Sequence, residues 1–205
     1  MKVRDSGMPS QTYWETLFDV PSILDAFGFG PSTGDVAELG CGYGTFTVPL
    51  ARRVGGAVHA FDIDPEMVAL TAQRVAAAGT RNLRTELRDV LVSGFGPVAG
   101  SFDSVLLFNI LHMEAPTTLL RAAAQAIRPD GFVAIIHWRS DVLTPRGPPL
   151  DIRPRPEQIR GWAREAELTP GEVLTLPPWH FGLKLQVGKK RGSVDSAPSN
   201  RPPEL

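Results

Sequence analysis

The chain has 205 residues, 42% of them hydrophobic, with 21 Lys and Arg against 22 Asp and Glu and a formal net charge of −1. That length and apolar content suit a single domain with one large core, and the near-neutral balance offers no general attraction to nucleic acid or to an anionic membrane. No run reaches the ~18 consecutive apolar residues of a membrane helix, the N-terminus lacks a signal-peptide core, and the single cysteine, Cys41, cannot form an intrachain disulfide. A cytoplasmic location with no membrane or nucleic-acid partner is the expectation.

In chain order, residues 1–28 read as a helical cap, with one or two short helices over Tyr13 to Phe27 broken at Pro21. Val36, Ala37 and Leu39 suit a buried parallel strand, and Thr45 to Arg53 carries apolar residues at helical spacing, so Gly40, Gly42 and Gly44 fall in a strand-to-helix turn. Glycine there tolerates φ > 0 and lets a ligand approach the backbone. A dinucleotide fingerprint reads G-x-G-x-x-G/A; this loop reads G-x-G-x-G, with Glu38 two residues before the first glycine. A carboxylate at that point repels a pyrophosphate and can hold an ammonium, which favours a cofactor with an amine over one with a diphosphate.

Val58 to Phe61 reads as a second strand ending at Asp62, whose carboxylate can accept from both hydroxyls of a ribose. Asp64 and Pro65 are a helix cap and first position, the helix runs Pro65 to Ala78, and Gly79 ends it. A short strand over Leu83 to Leu87 leads to Asp89 and Val90, and Ser101 to Asn109 is a further strand, followed by Ile110-Leu111-His112-Met113. A helix is predicted from about Pro116 to Ile127, then a turn at Arg128-Pro129-Asp130-Gly131 and a strand over Phe132 to Ile136. The proline-rich stretch from His137 to Gln158 reads as a long ordered loop or lid, not a helix. Its Arg139, Arg146, Arg153 and Arg155 could clamp a substrate carboxylate or phosphate, or pair with Asp141, Asp151 and Glu157. Phe181 to Val187 is the last strand, and the Gly-, Ser- and Pro-rich residues 188–205 read as a disordered tail.

Glu38, Gly40, Gly42 and Gly44 match the motif (D/E)-x-G-x-G-x-G, and the chain resembles the class I S-adenosylmethionine-dependent methyltransferases, in particular their small single-domain type 11/25-like members. Asp62, Asp89, the Phe102-Asp103 strand and the Arg128 to Gly131 turn follow in the family's order. The resemblance implies an α/β fold, a Rossmann-like three-layer sandwich over residues 29–187, whose seven-stranded sheet is mostly parallel with the last strand antiparallel. It implies S-adenosyl-L-methionine as the cofactor, held by Glu38, Gly40, Gly42, Gly44, Asp62, Ile63, Asp89, Val90 and Asn109, with Asp89 and Val90 at the adenine. The implied activity is methyl transfer to O, N or S of a small organic molecule. A protein methyltransferase and a non-catalytic module binding the cofactor or its product are the alternatives.

On that fold His112, His137 and His180 converge beside the methyl acceptor, whereas His59 lies packed within the second strand. The three could line a pocket, supply a general base at His112 or His137, or hold a metal, which nothing in their spacing demands. No metal is expected. Trp14, Trp138, Arg139 and His180 are the candidate substrate pocket, with Tyr13 and Trp179 as further aromatic walls. Where some relatives carry Asn-Pro-Pro-Tyr for amide and adenine nitrogens, this chain has Asn109-Ile110-Leu111-His112, which argues against those acceptors. Oligomeric state has no signature in the sequence.

Overall fold

A computed structural model of the chain describes residues 9–96 and 98–188. The reading of 188–205 as a tail lies, beyond Gly188, outside the described residues, as do the first eight residues of the helical cap. Two short helices, α1 (Gln11–Glu15) and α2 (Val20–Ala26), precede β1 (Val36–Leu39), α3 (Thr47–Arg53), β2 (Val58–Asp62), α4 (Pro65–Ala78), β3 (Leu83–Leu87) and α5 (Val90–Ser93). Then follow β4 (Phe102–Phe108), α6 (Pro116–Ala126), β5 (Ile127–Trp138), a 3-10 turn over Leu150–Ile152, α7 (Pro156–Glu165), β6 (Leu168–Leu176) and β7 (His180–Val187).

The seven strands form one sheet in the order β3-β2-β1-β4-β5-β7-β6, with β1 to β5 mutually parallel and β7 antiparallel to both of its neighbours. The expected Rossmann-like architecture is therefore present. Central strands covered on both faces carry continuous apolar runs, and β1 and β4 are buried over nearly their whole length. Successive side chains alternate between two cores. Val105, Leu107, Val133 and Ile135 meet Leu119, Leu120 and Ile159 of α6 and α7, whereas Val36, Leu106, Ala134 and Ile136 meet Leu24, Phe27 and Leu50 on the other face.

Several expected boundaries are corrected. Pro21 does not break a helix but sits in the first turn of α2, where its missing N–H costs nothing. Asp19 caps that helix by accepting from the Ser22 N–H at 3.2 Å. Thr45 and Phe46 belong to the turn, so α3 begins at Thr47. The Arg128 to Gly131 turn is a bulge inside a longer strand, because Phe102 pairs with Ile127 while Ser104 pairs with Phe132. A Cβ on Gly131 would stand 2.6 Å from the Asp103 carbonyl oxygen, which explains the glycine. The proline-rich stretch ends in α7, which Pro156 starts as its first residue.

The intervening segment, residues 139–155, is gathered by one side chain. Arg153, only 7% exposed, donates from Nε to the Pro148 carbonyl at 2.7 Å and from its two terminal nitrogens to the carbonyls of Arg139 at 2.9 Å and Arg146 at 3.2 Å. Its guanidinium also lies 5.8 Å from the centre of the Trp138 ring. Arg153 serves the backbone of its own loop and, among the described residues, pairs with no acidic side chain. A lysine point charge cannot fork onto three carbonyls. Arg153→Lys is expected to lower the unfolding free energy by about 1–3 kcal/mol, and an unchanged urea midpoint would show that the clamp contributes nothing.

Candidate functional site

In open α/β sheets ligands bind beyond the carboxyl ends of the strands, where the strand order reverses. Here the reversal lies between β1 and β4. The loop leaving β1 is pulled toward β2, since the N–H groups of Gly40 and Cys41 donate to the Phe61 carbonyl at 2.8 and 3.2 Å. Gly40 and Gly44 hold φ of 77° and 71°, a region that favours glycine. Thr71, fully buried on α4, donates to the Gly42 carbonyl at 2.7 Å, and a Cβ on Gly44 would come within 3.2 Å of it. Arg74 of α4 donates to the Tyr43 carbonyl and to the Glu15 carboxylate, both at 2.6 Å, while the Tyr43 hydroxyl donates to the Pro9 carbonyl at 2.8 Å. The glycine loop is thus fixed from both α4 and the N-terminal segment.

Asp62 closes the same turn. Its two carboxylate oxygens accept from the N–H groups of Gly42 at 3.0 Å and Asp64 at 3.1 Å, and each keeps acceptor capacity for a further donor. Asp62, Gly40, Ile63, Asp89 and Val90 meet in one cavity of about 100 Å³, completed by Leu39, Leu91, Ile110, Met113 and Leu119. One oxygen of Asp89 is engaged in capping α5, accepting from the Leu91 N–H at 2.9 Å. Gly42 reaches the cavity only through its bond to Asp62, and Gly44 only through the shared turn.

Glu38 lies on β1, one residue before Leu39, and is 3% exposed. Its Oε2 has no hydrogen-bond partner. Burial pushes this carboxyl up to about 8, with Thr47 opposing the shift and the Asp62 charge adding to it. At the end of β4 Asn109 takes φ of 55°, its N–H donating to the Ile136 carbonyl at 2.8 Å, and its buried Oδ1 also lacks a partner. Orphaned buried acceptors are costly. Two of them beside a glycine loop and a ribose-type carboxylate fit a ligand with an ammonium and a sugar, as S-adenosylmethionine has. The Cys41 thiol, pushed up to about 12 mainly by burial, is inert.

The histidines share a sheet edge but not a point. His137 pairs in register with Phe181 and Trp138 with His180, so His137 and His180 project to opposite faces. His137 lies 5.6 Å from His112 between ring centres, is fully buried, and is pushed down to about 3 chiefly by burial. His180, likewise held near 3 by burial and by Arg153, stacks on Phe18 at 4.6 Å and lies 4.1 Å from Trp138. The expected convergence of three histidines is corrected accordingly, because strand alternation separates neighbours. Among the described residues no group of three or more His, Cys, Asp or Glu side chains is arranged to hold a metal. His59 is half-buried and packs edge-on against Phe102.

The four expected substrate-pocket residues divide as well. Trp138 is 1% exposed and belongs to an aromatic block with Trp14, Phe18 and His180. Arg139 forks onto Asp141 at 2.9 and 2.7 Å and lines a second, more polar cleft of about 530 Å³ that His180 also borders. Thr71 and Arg74 escaped sequence reasoning, as did the hold of Arg153 on backbone carbonyls. Thr71 did leave a signal, as a polar residue on the inward stripe of α4.

Comparison with known proteins agrees with this geometry. The methyltransferase-domain family matches residues 36–131. Aklanonic acid methyltransferase of Streptomyces sp. (strain C5) is 38% identical over 108 residues, covering 51% of this chain and 48% of that protein. Trans-aconitate 2-methyltransferase of Mycobacterium tuberculosis is 30% identical over 157 residues, covering 76% and 56%. The chain spans less than half the length of the first curated relatives it matches. The crystal structure of a SAM-dependent methyltransferase from Aquifex aeolicus superposes with a TM-score of 0.77 over 87% of this chain and 94% of that one, at 23% identity, a likeness of fold. With the sheet order and the glycine turn already in place, residues 36–131 are similar to the methyltransferase-domain family, and the chain shares the fold of an S-adenosylmethionine-dependent methyltransferase.

Proposed function

We propose that the chain binds S-adenosylmethionine and transfers its methyl group to an oxygen, nitrogen or sulfur of a small organic molecule. The observation that carries this reading is the buried, unpartnered Glu38 oxygen beside the Asp62 cavity, a carboxyl that an arriving cation would hold in its charged form. When bound, the cofactor would supply an electrophilic methyl group on a sulfonium. Glu38 would hold the ammonium, Asp62 the ribose hydroxyls, and Asp89, Val90 and Ile63 the adenine, with Gly40 to Gly44 allowing close approach. Asn109 would offer its orphaned carbonyl oxygen near the amino-acid end. Small organic acceptors are also named for relatives: aklanonic acid, nocamycin and trans-aconitate. Residues 29–187 are read as the cofactor domain and 1–28 as its cap, in a chain working in the cytoplasm.

The remaining residues would orient the acceptor and exclude water, the two contributions such a displacement needs most. Of the two candidate bases, His137 is walled in and stays neutral far below pH 7. His112 is the better candidate, lying in the short segment whose Ile110 and Met113 line the cofactor cavity. His112→Gln is expected to lower kcat about 10²–10⁴-fold with cofactor affinity retained; an unchanged kcat would remove it as the base.

Calorimetric titration with S-adenosylmethionine, with NADH in parallel, tests the cofactor. Saturable one-to-one binding is expected, and binding of NADH alone would overturn the reading. Asp62→Ala and Glu38→Gln are each expected to weaken cofactor binding by about 1.5–3 kcal/mol.

Glu38 also fixes a pH dependence. Its raised pKa means that between about 4.5 and 8 the native chain keeps a proton the unfolded chain releases, so stability falls as pH rises through that window. Melting temperatures of the ligand-free Glu38→Gln variant are therefore expected to exceed those of the natural chain by a margin that widens from the acid end to the basic end. A pH-independent margin would count against the buried carboxyl as the titrating group.

A further inference from the structure

His137 is fully buried near the carboxyl end of β5, and the two nitrogens of its ring are not equivalent. Nδ1 lies 3.3 Å from the Trp138 carbonyl oxygen, which can only accept, so that nitrogen carries the proton of the ring. Burial keeps the ring neutral at ordinary pH, with its pKa pushed down to about 3. Nε2 therefore presents a lone pair, and it is buried without a hydrogen-bond partner. A buried acceptor left bare is costly unless a donor comes to meet it.

His112 stands beside it. The two ring centres are 5.6 Å apart and the ring planes meet at 77°. Two imidazoles joined by an N–H···N bond of ordinary length have their centres about 5 Å apart, so a small movement of the His112 ring closes such a bond. The other ring packed against His137, that of Phe181 at 6.4 Å, has no donor to give. His112 is carried by the turn after β4, which the Met113 N–H closes by donating to the Ile110 carbonyl at 3.2 Å, and both Ile110 and Met113 line the cofactor cavity. The pair thus links the core of the sheet to the margin of the site. Hydrogen bonds between catalytic groups are often long in ligand-free proteins and tighten when the site fills.

We propose that His137 is a positioning residue: its Nε2 accepts one N–H of His112, which fixes the His112 tautomer and leaves the other His112 nitrogen bare to act as the base. This rests on the reading of His112 as the base in methyl transfer. The order Trp138 carbonyl, His137, His112 follows the logic in which a base is oriented by the group behind it, here a neutral imidazole anchored on the backbone in place of a carboxylate. As the acceptor atom bonds to the methyl carbon, the methyl–sulfur bond breaks with its electron pair on sulfur, and the proton of the acceptor passes to the bare nitrogen of His112. The His112 cation so formed still donates its other N–H to His137, now through a charge-assisted bond stronger than the neutral one. Without His137 a neutral His112 would divide between two tautomers.

The test uses the purified full chain with its histidine ring nitrogens isotopically labelled, followed by NMR at neutral pH both free and with saturating S-adenosylhomocysteine. His137 is expected to hold its proton on Nδ1, His112 to adopt a single tautomer, and a scalar coupling to connect a His112 ring nitrogen with His137 Nε2 in the complex. His137→Phe fills the same space without an acceptor and is expected to abolish the coupling and leave His112 divided between its tautomers. His137→Gln, whose amide oxygen can stand in for Nε2, is expected to restore a single tautomer. A His137 proton on Nε2, absence of the coupling in the complex, or an unchanged His112 tautomer in His137→Phe would each overturn the proposal. Failure of S-adenosylhomocysteine to bind would instead count against the cofactor reading, and the ligand-free tautomers of the natural chain and of His137→Phe would still decide the pair. An unchanged kcat in His112→Gln would remove the base, and with it the positioning role, whatever the tautomers.

Discussion

The site depends on a divergence of two loops. From β1 the chain steps outward to β2 and β3, then crosses back to β4 and continues to β5, so the two central strands send their exits in opposite directions. Backbone hydrogen bonds fix this: the Gly40 N–H leans on the Phe61 carbonyl of β2, and the Asn109 N–H leans on the Ile136 carbonyl of β5. The crevice between them is a result of parallel topology before any side chain is considered. Glu38, Asp62, Asp89 and Asn109 matter because their strands deliver them to its margin.

The electrostatics of that margin follow from burial. Asp62 is supported by two N–H groups of its own turn, while Glu38 one strand away has an oxygen that meets nothing and a pKa near 8. Two carboxyl groups therefore play unlike parts, one organising the loop and the other left expectant. A fold that keeps such a group at its centre accepts a cost in the ligand-free state. That cost is intelligible where a cation arrives with the ligand, and it gives the proposed cofactor role a physical basis beyond the glycine spacing.

Much of this could be read from residues in order. The strands β1 to β4 and helix α4 with its Asp64 cap and Gly79 stop are local consequences of periodicity and turn chemistry, whereas the gathering of Asp89 and Val90 with Gly40, Asp62 and Ile63 is what the family resemblance implied. What escaped was set by contacts between distant parts of the chain. Arg153 meets carbonyls rather than an acid because the loop curls around it, and His137 and His180 separate because pairing in register with Phe181 and Trp138 points them to opposite faces. Thr71 reaches the Gly42 carbonyl from 29 residues away in the chain. Proline acts consistently here: Pro21 and Pro156 both lie in the first turn of a helix, where the missing N–H costs nothing, and mark neither a break nor a loop.

The Arg153 clamp has a further consequence for how the segment between β5 and α7 responds to its surroundings. Its guanidinium is held by carbonyl dipoles, and dissolved ions neither compete strongly for such partners nor screen contacts made out of water. An ordinary surface ion pair such as Arg139–Asp141 weakens as salt rises, but the loop as a whole need not open with it. The chain thus combines a salt-tolerant clamp with a salt-sensitive ion pair, so ionic strength would loosen the Arg139–Asp141 wall of the second cleft while the loop behind it stays gathered.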